Sequence, residues 1–403
     1  MMPRSRVFLC LVVLTGLYFA ELAPAKEPFH FPAGKHGKGE LHYVNGIPVL
    51  TVEGTPQEIG EQMAILAGKP SERALTYPKE VLSYLATPVG LKLVWPIVVK
   101  NGNRLLQNFP ADHRQEFEAL VKASGLDREL LVAVNTMFDL KQDLTALFGC
   151  SALIIEGARS ATGRPIFGRN MDYIALGYLH EYSLVTVCRP RGKHAFASIG
   201  FPALVGSISG MNDAGLALAV LETTGADPSE GPVFNPDGVP FALCYRRLLE
   251  ECTTVQEAER LLRSMKRTTT NNLAICDRTG GAVFEITPSR VVVRHTKDGI
   301  GVCTNHFCSK ELKLTRPRDL FTTFERFDIL EKARTQSKKM GIGDVQGYLD
   351  AANQGELTLQ TMVFEPATLT VHLALAVDRR PASGRQLKRL ELGTLLKTKQ
   401  GSE

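Results

Sequence analysis

The feature that most constrains this chain is a change of periodicity at Gly149. Apolar residues recur at helical spacing from about Thr55 to Leu147, interrupted at Pro88 and Pro96. From Cys150 onward the pattern becomes short apolar runs separated by tight turns, which reads as antiparallel sheet. Strands are expected at Cys150–Glu156, Pro165–Arg169, Tyr182–Cys188, Ala195–Ile199, Leu204–Ser209 and Leu216–Leu221. After an amphipathic helix pair over Phe241–Lys266, strands resume at Asn272–Cys276, Ala282–Thr287, Arg290–His295 and Gly301–Thr304. A helix over about Asp319–Ser337 and a hairpin of Thr361–Glu365 with Thr370–Val377 complete the body. Helices in blocks beside strand meanders predict an α+β layered fold and argue against a doubly wound one.

Ahead of the helical block, Leu41–Val52 reads as two strands around Asn45-Gly46, a strong hairpin signal. Thr55-Pro56-Gln57-Glu58 then has the order of a helix start: a capping threonine, proline at the first helical position and glutamate three residues after the cap. At the other end, Thr254 and Glu257 form a second such start.

The first residues indicate the compartment. Arg4 and Arg6 precede an apolar run, Val7–Phe19, and Ala23-Pro24-Ala25 has the small-x-small form of a signal-peptidase site, so residues 1–25 read as a secretory signal peptide. A secreted or periplasmic protein with no stable membrane span is expected, because no later stretch offers the ~20 apolar residues a spanning helix needs. Removal of that segment takes away Arg4, Arg6 and Glu21 and leaves 45 basic against 41 acidic side chains, too even a balance to imply a nucleic-acid partner. Basic residues collect in the tail from about residue 380, which reads as a flexible solvated terminus. Seven of the eight cysteines remain after Cys10 is removed, an odd number in an oxidising compartment. Cys303 with Cys308, or Cys244 with Cys252, are candidate disulfides. No metal-ligand spacing and no phosphate-cradling glycine loop is evident, so no cofactor or metal is implied.

Cys150 stands between a glycine and a serine where the sheet region begins. The strand expected to pair with it ends in Gly168-Arg169-Asn170-Met171-Asp172, which brings Arg169 and Asp172 within reach of the sulfur, and a guanidinium favours thiolate. Cleavage after Gly149 would give Cys150 a free α-amine with an unperturbed pKa of about 7.7 to 8.0, a base placed beside the thiol it must deprotonate.

Gly149-Cys150-Ser151, G-R-N-M-D at 168–172, S-G-M-N-D-A-G-L at 209–216 and C-T-N-H-F at 303–307 together resemble the penicillin acyltransferase (isopenicillin N acyltransferase-like) family. That family is akin to the choloylglycine hydrolases and acid ceramidases among N-terminal-nucleophile enzymes. The resemblance starts near residue 41, with G-I-P-V-L-T-V-E-G-T-P-Q-E-I-G-E-Q at 46–62, and runs to about 378. It implies an αββα sandwich of two antiparallel sheets between helical layers. It also implies an α chain, 26–149, that stays associated after cleavage with a β chain, 150–403. In the site it makes Cys150 the nucleophile, Arg169 and Asp172 its electrostatic partners, Asn212 an oxyanion-side amide, and Asn305 a second oxyanion or amine contact. It further expects a late arginine, Arg326, with Arg318 as the rival. The chemistry implied is hydrolysis of small amides, or acyl transfer, through a thioester on Cys150. A non-catalytic binding protein on the same fold, and a Cys–His enzyme using His306, are the readings against which this one stands.

Overall fold

The computed structural model describes residues 28–85, 87–140, 149–223, 231–312, 319 and 322–397. The signal-peptide reading, Cys10 and Arg318 fall outside the described residues.

The described residues open with strands β1 (Gly34–His36), β2 (Gly39–Val44) and β3 (Ile47–Gly54). The β2–β3 hairpin turns at Asn45 and Gly46, with φ of 51° and 82°. That pair of left-handed residues matches the right-handed strand twist, which is why Asn-Gly serves there. Next comes the helix Pro56–Met63, whose capping box is formed as expected: the Thr55 hydroxyl accepts the Glu58 N–H, and the Glu58 carboxylate accepts the Thr55 N–H. Helices Tyr77–Leu85, Pro88–Leu106, Ala111–Ser124 and Arg128–Leu140 complete the arm. Pro88 does open a helix, but Pro96 lies inside one instead of ending it.

Strands β4 (Cys150–Ile155), β5 (Ile166–Asp172), β6 (Leu184–Pro190), β7 (Phe196–Gly200), β8 (Ser209–Asn212) and β9 (Ala217–Glu222) follow. The helices Phe241–Glu251 and Val255–Ser264 then lead to β10 (Asn271–Cys276), β11 (Gly281–Ile286), β12 (Val291–His295) and β13 (Ile300–Cys303). Helices Thr323–Glu331 and Ile342–Ala351 precede β14 (Thr358–Glu365), β15 (Thr370–Leu375) and β16 (Lys388–Glu391).

One sheet has the order β1-β2-β3-β6-β7-β8-β9-β10-β11-β12 and the other β13-β4-β5-β14-β15-β16. Strand parity shows the layering. Ala152 and Ile154 of β4 meet Val185, Ala197, Met211 and Ala219 of the larger sheet in a core between the sheets. Leu153 and Ile155 point the other way, onto Leu330, Val345 and Leu349 of the late helices. The far face of the larger sheet, with Leu218, Val220 and Leu273, packs on the arm and on helix Phe241–Glu251 through Ile59, Phe117, Leu131 and Leu248. The result is the four-layer αββα sandwich.

Several local expectations are corrected. The β3–β6 ladder is parallel, because the arm and the β4–β5 pair intervene before the chain returns beside β3. Leu204–Ser209 is not a strand apart from Ser209. It is a loop pressed against helix Phe241–Glu251, so close at Gly206 that a Cβ there would come within 2.5 Å of the Ala242 side chain. The basic tail is not frayed as far as residue 397: β16 pairs with β15, and Leu390, Leu392 and Leu396 are buried. The two candidate disulfides are absent, and Cys150, Cys188, Cys244, Cys252, Cys276, Cys303 and Cys308 are free thiols.

Candidate active site

Cys150 is the first residue of β4 and is 6% exposed. Its side chain faces the layer between the sheets, in the same core cluster as Ala152 and Ile154. The β4–β5 register sets Arg169 opposite Ala152 and Met171 opposite Cys150. From there the buried Arg169 guanidinium spans the two sheets: Nη1 bonds the Ser209 hydroxyl at the start of β8, and Nη2 donates to the Val220 carbonyl at 2.8 Å. Nη2 also lies 3.6 Å from the Cys150 Sγ. Burial pushes the Cys150 thiol up, the Arg169 charge pulls it back, and Asp172 and Glu222 add to the rise.

The Gly149–Cys150 peptide is held on both sides. The Asp172 N–H donates to the Gly149 carbonyl at 3.1 Å, and the Cys150 N–H donates to Asn305 Oδ1 at 2.8 Å. Asn305, just past β13, gives its own Nδ2–H to the Glu222 carbonyl at 2.7 Å. Arg326 Nη2 donates to Asn305 Oδ1 at 2.8 Å, and Arg326 Nη1 to the Cys150 carbonyl at 2.5 Å and to the Ser151 hydroxyl at 3.0 Å. One arginine thus grips both Cys150 and the amide that holds its nitrogen.

Asp172 is fully buried. Its Oδ1 accepts from the Thr358 hydroxyl at 2.6 Å, while Oδ2 has no hydrogen-bond partner and lies 3.3 Å from where a Cβ on Gly149 would stand. Burial pushes its pKa up, and Arg326, the Thr358 hydroxyl and Arg169 hold back part of that rise.

Five of the six residues anticipated therefore converge: Cys150, Arg169, Asp172, Asn305 and Arg326. Asn212 does not join them. Its Nδ2 donates to the carbonyls of Leu249 and Cys252 at 2.9 and 2.7 Å, and its Oδ1 accepts the Leu216 N–H at 2.9 Å. Every polar atom of the amide is spent on tying the β8–β9 turn to helix Phe241–Glu251. Side chains alternate along β8, so Ser209 and Asn212 occupy opposite faces, and it is Ser209 that meets Arg169. The quoted S-G-M-N motif thus touches the site through its first residue. His306 bonds the Thr323 hydroxyl through Nδ1 at 3.0 Å and packs its ring on Phe324 and Phe327.

Sequence reasoning missed Ser209, Glu222 and Thr358. Period-two parity in β8 could have found Ser209. Thr358 left no local signal, since it reaches Asp172 by strand pairing across 186 positions.

Elsewhere, Asp112, His113 and Glu250 have ligand atoms close enough for a metal, but Lys193 Nζ already occupies the cluster, bonded to Asp112 and 2.5 Å from Glu250.

A profile of the acyl-coenzyme A:6-aminopenicillanic acid acyl-transferase family matches residues 159–380, more than half of the chain. The chain belongs to that family. The match spans Arg169, Asp172, Asn305 and Arg326 and begins downstream of Cys150. Family membership makes the protein an enzyme of the acyl-transferring class. Solved structures similar to it include a variant conjugated bile acid hydrolase from Clostridium perfringens, at 15% identity and TM-score 0.46 over 63% of this chain and 95% of that one. An N-acylethanolamine-hydrolyzing acid amidase ortholog from Caenorhabditis elegans matches at 14% identity and TM-score 0.43, covering 60% of this chain and 100% of its own. Penicillin V acylase from Agrobacterium tumefaciens matches at 14% and 0.40, covering 60% and 92%. No curated protein matches in sequence.

Proposed function

We propose that this family member is an exported, self-cleaving cysteine amidase whose nucleophile is Cys150. Cys150 Sγ attacks the Gly149 carbonyl carbon, the bond to the Cys150 nitrogen breaks, and the acyl group passes to sulfur. Water then releases Gly149 as a carboxylate and leaves Cys150 with a free thiol and α-amine. The observation that carries this reading is the clamp on that peptide: Asp172 N–H on the Gly149 oxygen, Asn305 on the Cys150 N–H and Arg326 on the Cys150 oxygen, with Arg169 beside the sulfur. The Asp172 N–H is aimed where negative charge develops as sulfur adds to Gly149, the placement that lowers a barrier of this type.

In the mature enzyme the α-amine takes the thiol proton, the thiolate adds to the carbonyl of a small amide, the amine leaves, and water hydrolyses the thioester. Delivery of the acyl group to a second amine is the variant that the family's name favours. The two chains are expected to stay together. The β3–β6 ladder joins a strand on each side of the cut, and the Arg246–Glu116 ion pair at 2.6 Å crosses the same boundary.

Intact-mass analysis and N-terminal sequencing of the wild type beside Cys150→Ala test this. Two co-purifying chains, the second beginning at Cys150, are expected in the wild type only, with amidase activity lost in the variant. A single uncut chain in both would exclude the N-terminal-nucleophile mechanism.

A further inference from the structure

Helix Pro88–Leu106 packs on the arm through a narrow seam. Trp95 and Val99 meet Ala133, Leu82 and Leu130, and Gly102 approaches Val132 closely. The opposite face is exposed at 88, 89, 92, 93, 96, 97, 100 and 101, the i, i+1, i+4 rows of one helical surface. An ordinary surface helix fills such rows with charged and polar side chains. Here they hold Val89 at 70% exposure, Leu93 at 67% and Ile97 at 57%, with Pro96 between them, and Tyr84 of the preceding helix is 61% exposed. Four of the six markedly exposed large apolar side chains among the described residues thus lie in this one stretch, so the stripe is a patch and not the usual scatter.

The charged residues on the same face all have one sign. Lys92 and Lys100 flank the apolar row, and the helix contains no aspartate or glutamate in its nineteen positions. Arg104, at the far end, is paired with Asp237. No ion pair engages Lys92 or Lys100 among the described residues. An apolar ridge edged by lysine and free of acid is self-repelling towards a second copy of the same face, and complementary to a surface with hydrocarbon beneath anionic headgroups. The helix has no window apolar enough to cross a bilayer, which fits a helix lying in the interface plane.

We propose that this face of helix Pro88–Leu106 docks the protein on the surface of an anionic phospholipid bilayer, with Val89, Leu93 and Ile97 entering the headgroup boundary and Lys92 and Lys100 resting on phosphates. The inference stands on the surface alone and does not depend on cleavage at Gly149.

Co-sedimentation of the full chain with vesicles of phosphatidylcholine, alone or mixed with phosphatidylglycerol, tests it, with melting temperature and solution mass measured in parallel. The wild type is expected to bind the mixed vesicles and to bind them less at high salt. Val89→Ser, Leu93→Ser and Ile97→Ser together should weaken partitioning by about tenfold or more without lowering the melting temperature, because these side chains are already in water. Lys92→Glu with Lys100→Glu, which keeps the apolar row, should remove the preference for phosphatidylglycerol, and it decides the matter should the triple variant fold poorly. Failure of the wild type to bind either vesicle would overturn the proposal. So would equal binding by wild type and both variants, or a solution dimer that the triple variant dissociates while vesicle binding is absent.

Discussion

Two clusters of buried charge lie in this sandwich and are built on opposite principles. At one, Glu116, Arg246, Glu250, His113 and Lys193 are matched: Arg246 bonds Glu116 through both terminal nitrogens at 2.6 Å and Glu250 through Nε at 2.7 Å, while His113 and Lys193 take the other Glu250 oxygen. Burial alone would push Glu250 up, but Arg246, His113 and Lys193 outweigh it and hold its pKa well below the usual value. At the other, around Cys150, the balance runs the opposite way. Burial wins at both the thiol and Asp172, and a carboxylate oxygen faces the Gly149–Cys150 peptide without a hydrogen bond. A cluster that holds its charges at their most comfortable lends stability, whereas one that keeps them uncomfortable retains reactivity.

That contrast is sharpest at Asp172. With its folded pKa raised, the group favours folding only while protonated, and that contribution is lost as pH rises through the folded pKa. Asp172→Asn should therefore leave stability at neutral pH unchanged or slightly higher. It should also reduce cleavage and amidase turnover by about four orders of magnitude, the scale seen when a buried orienting carboxylate is neutralised. Equal loss of activity and melting temperature would erase the distinction between the clusters.

Glu250→Gln is the converse. Removal of one partner from a buried charge network that links the arm to helix Phe241–Glu251 should lower unfolding free energy by about 3 kcal/mol and leave turnover intact below the melting transition. The sign with pH is also fixed. A lowered folded pKa gives stability that is present above the ordinary glutamate value of 4.5 and is lost as pH falls below it. The acid arm of the wild-type stability profile, followed by chemical denaturation, should be steeper than that of Glu250→Gln.

The residues differ in how far the sequence exposes them. Cys150, Arg169 and Asp172 were legible because they lie on two adjacent strands, where pairing follows from short-range pattern, and the Asn45-Gly46 turn and the Thr55 cap are equally local. Asn305 and Arg326 came through resemblance alone. Helix Ile342–Ala351 and strand β16 went unread, the first because its exposed-to-buried pattern is shallow, the second because a run of basic residues conceals the single buried Leu390. Charge matching across the arm, as in Glu116 with Arg246 at a separation of 130 positions, has no signature in one sequence.

The smallest expected effect tests the residue whose place changed. Asn212 resembles an oxyanion amide in its motif, yet its three hydrogen bonds go to Leu249, Cys252 and Leu216, on the face of β8 away from Cys150. Asn212→Ala would leave two buried carbonyls and one N–H without partners, at about 2 kcal/mol of unfolding free energy by the usual penalty for such groups. Turnover per folded molecule should not move, because Ser209, on the other face, still holds Arg169. Asn305→Ala, which frees the Cys150 nitrogen and one Arg326 contact, should show the reverse: a modest stability change with a large loss of cleavage. Measurement of kcat and melting temperature on both variants separates an amide that holds a turn from an amide that holds the reacting residue. If Asn212→Ala lost turnover as Asn305→Ala does, strand parity would be the wrong guide to which side of this sheet does the chemistry.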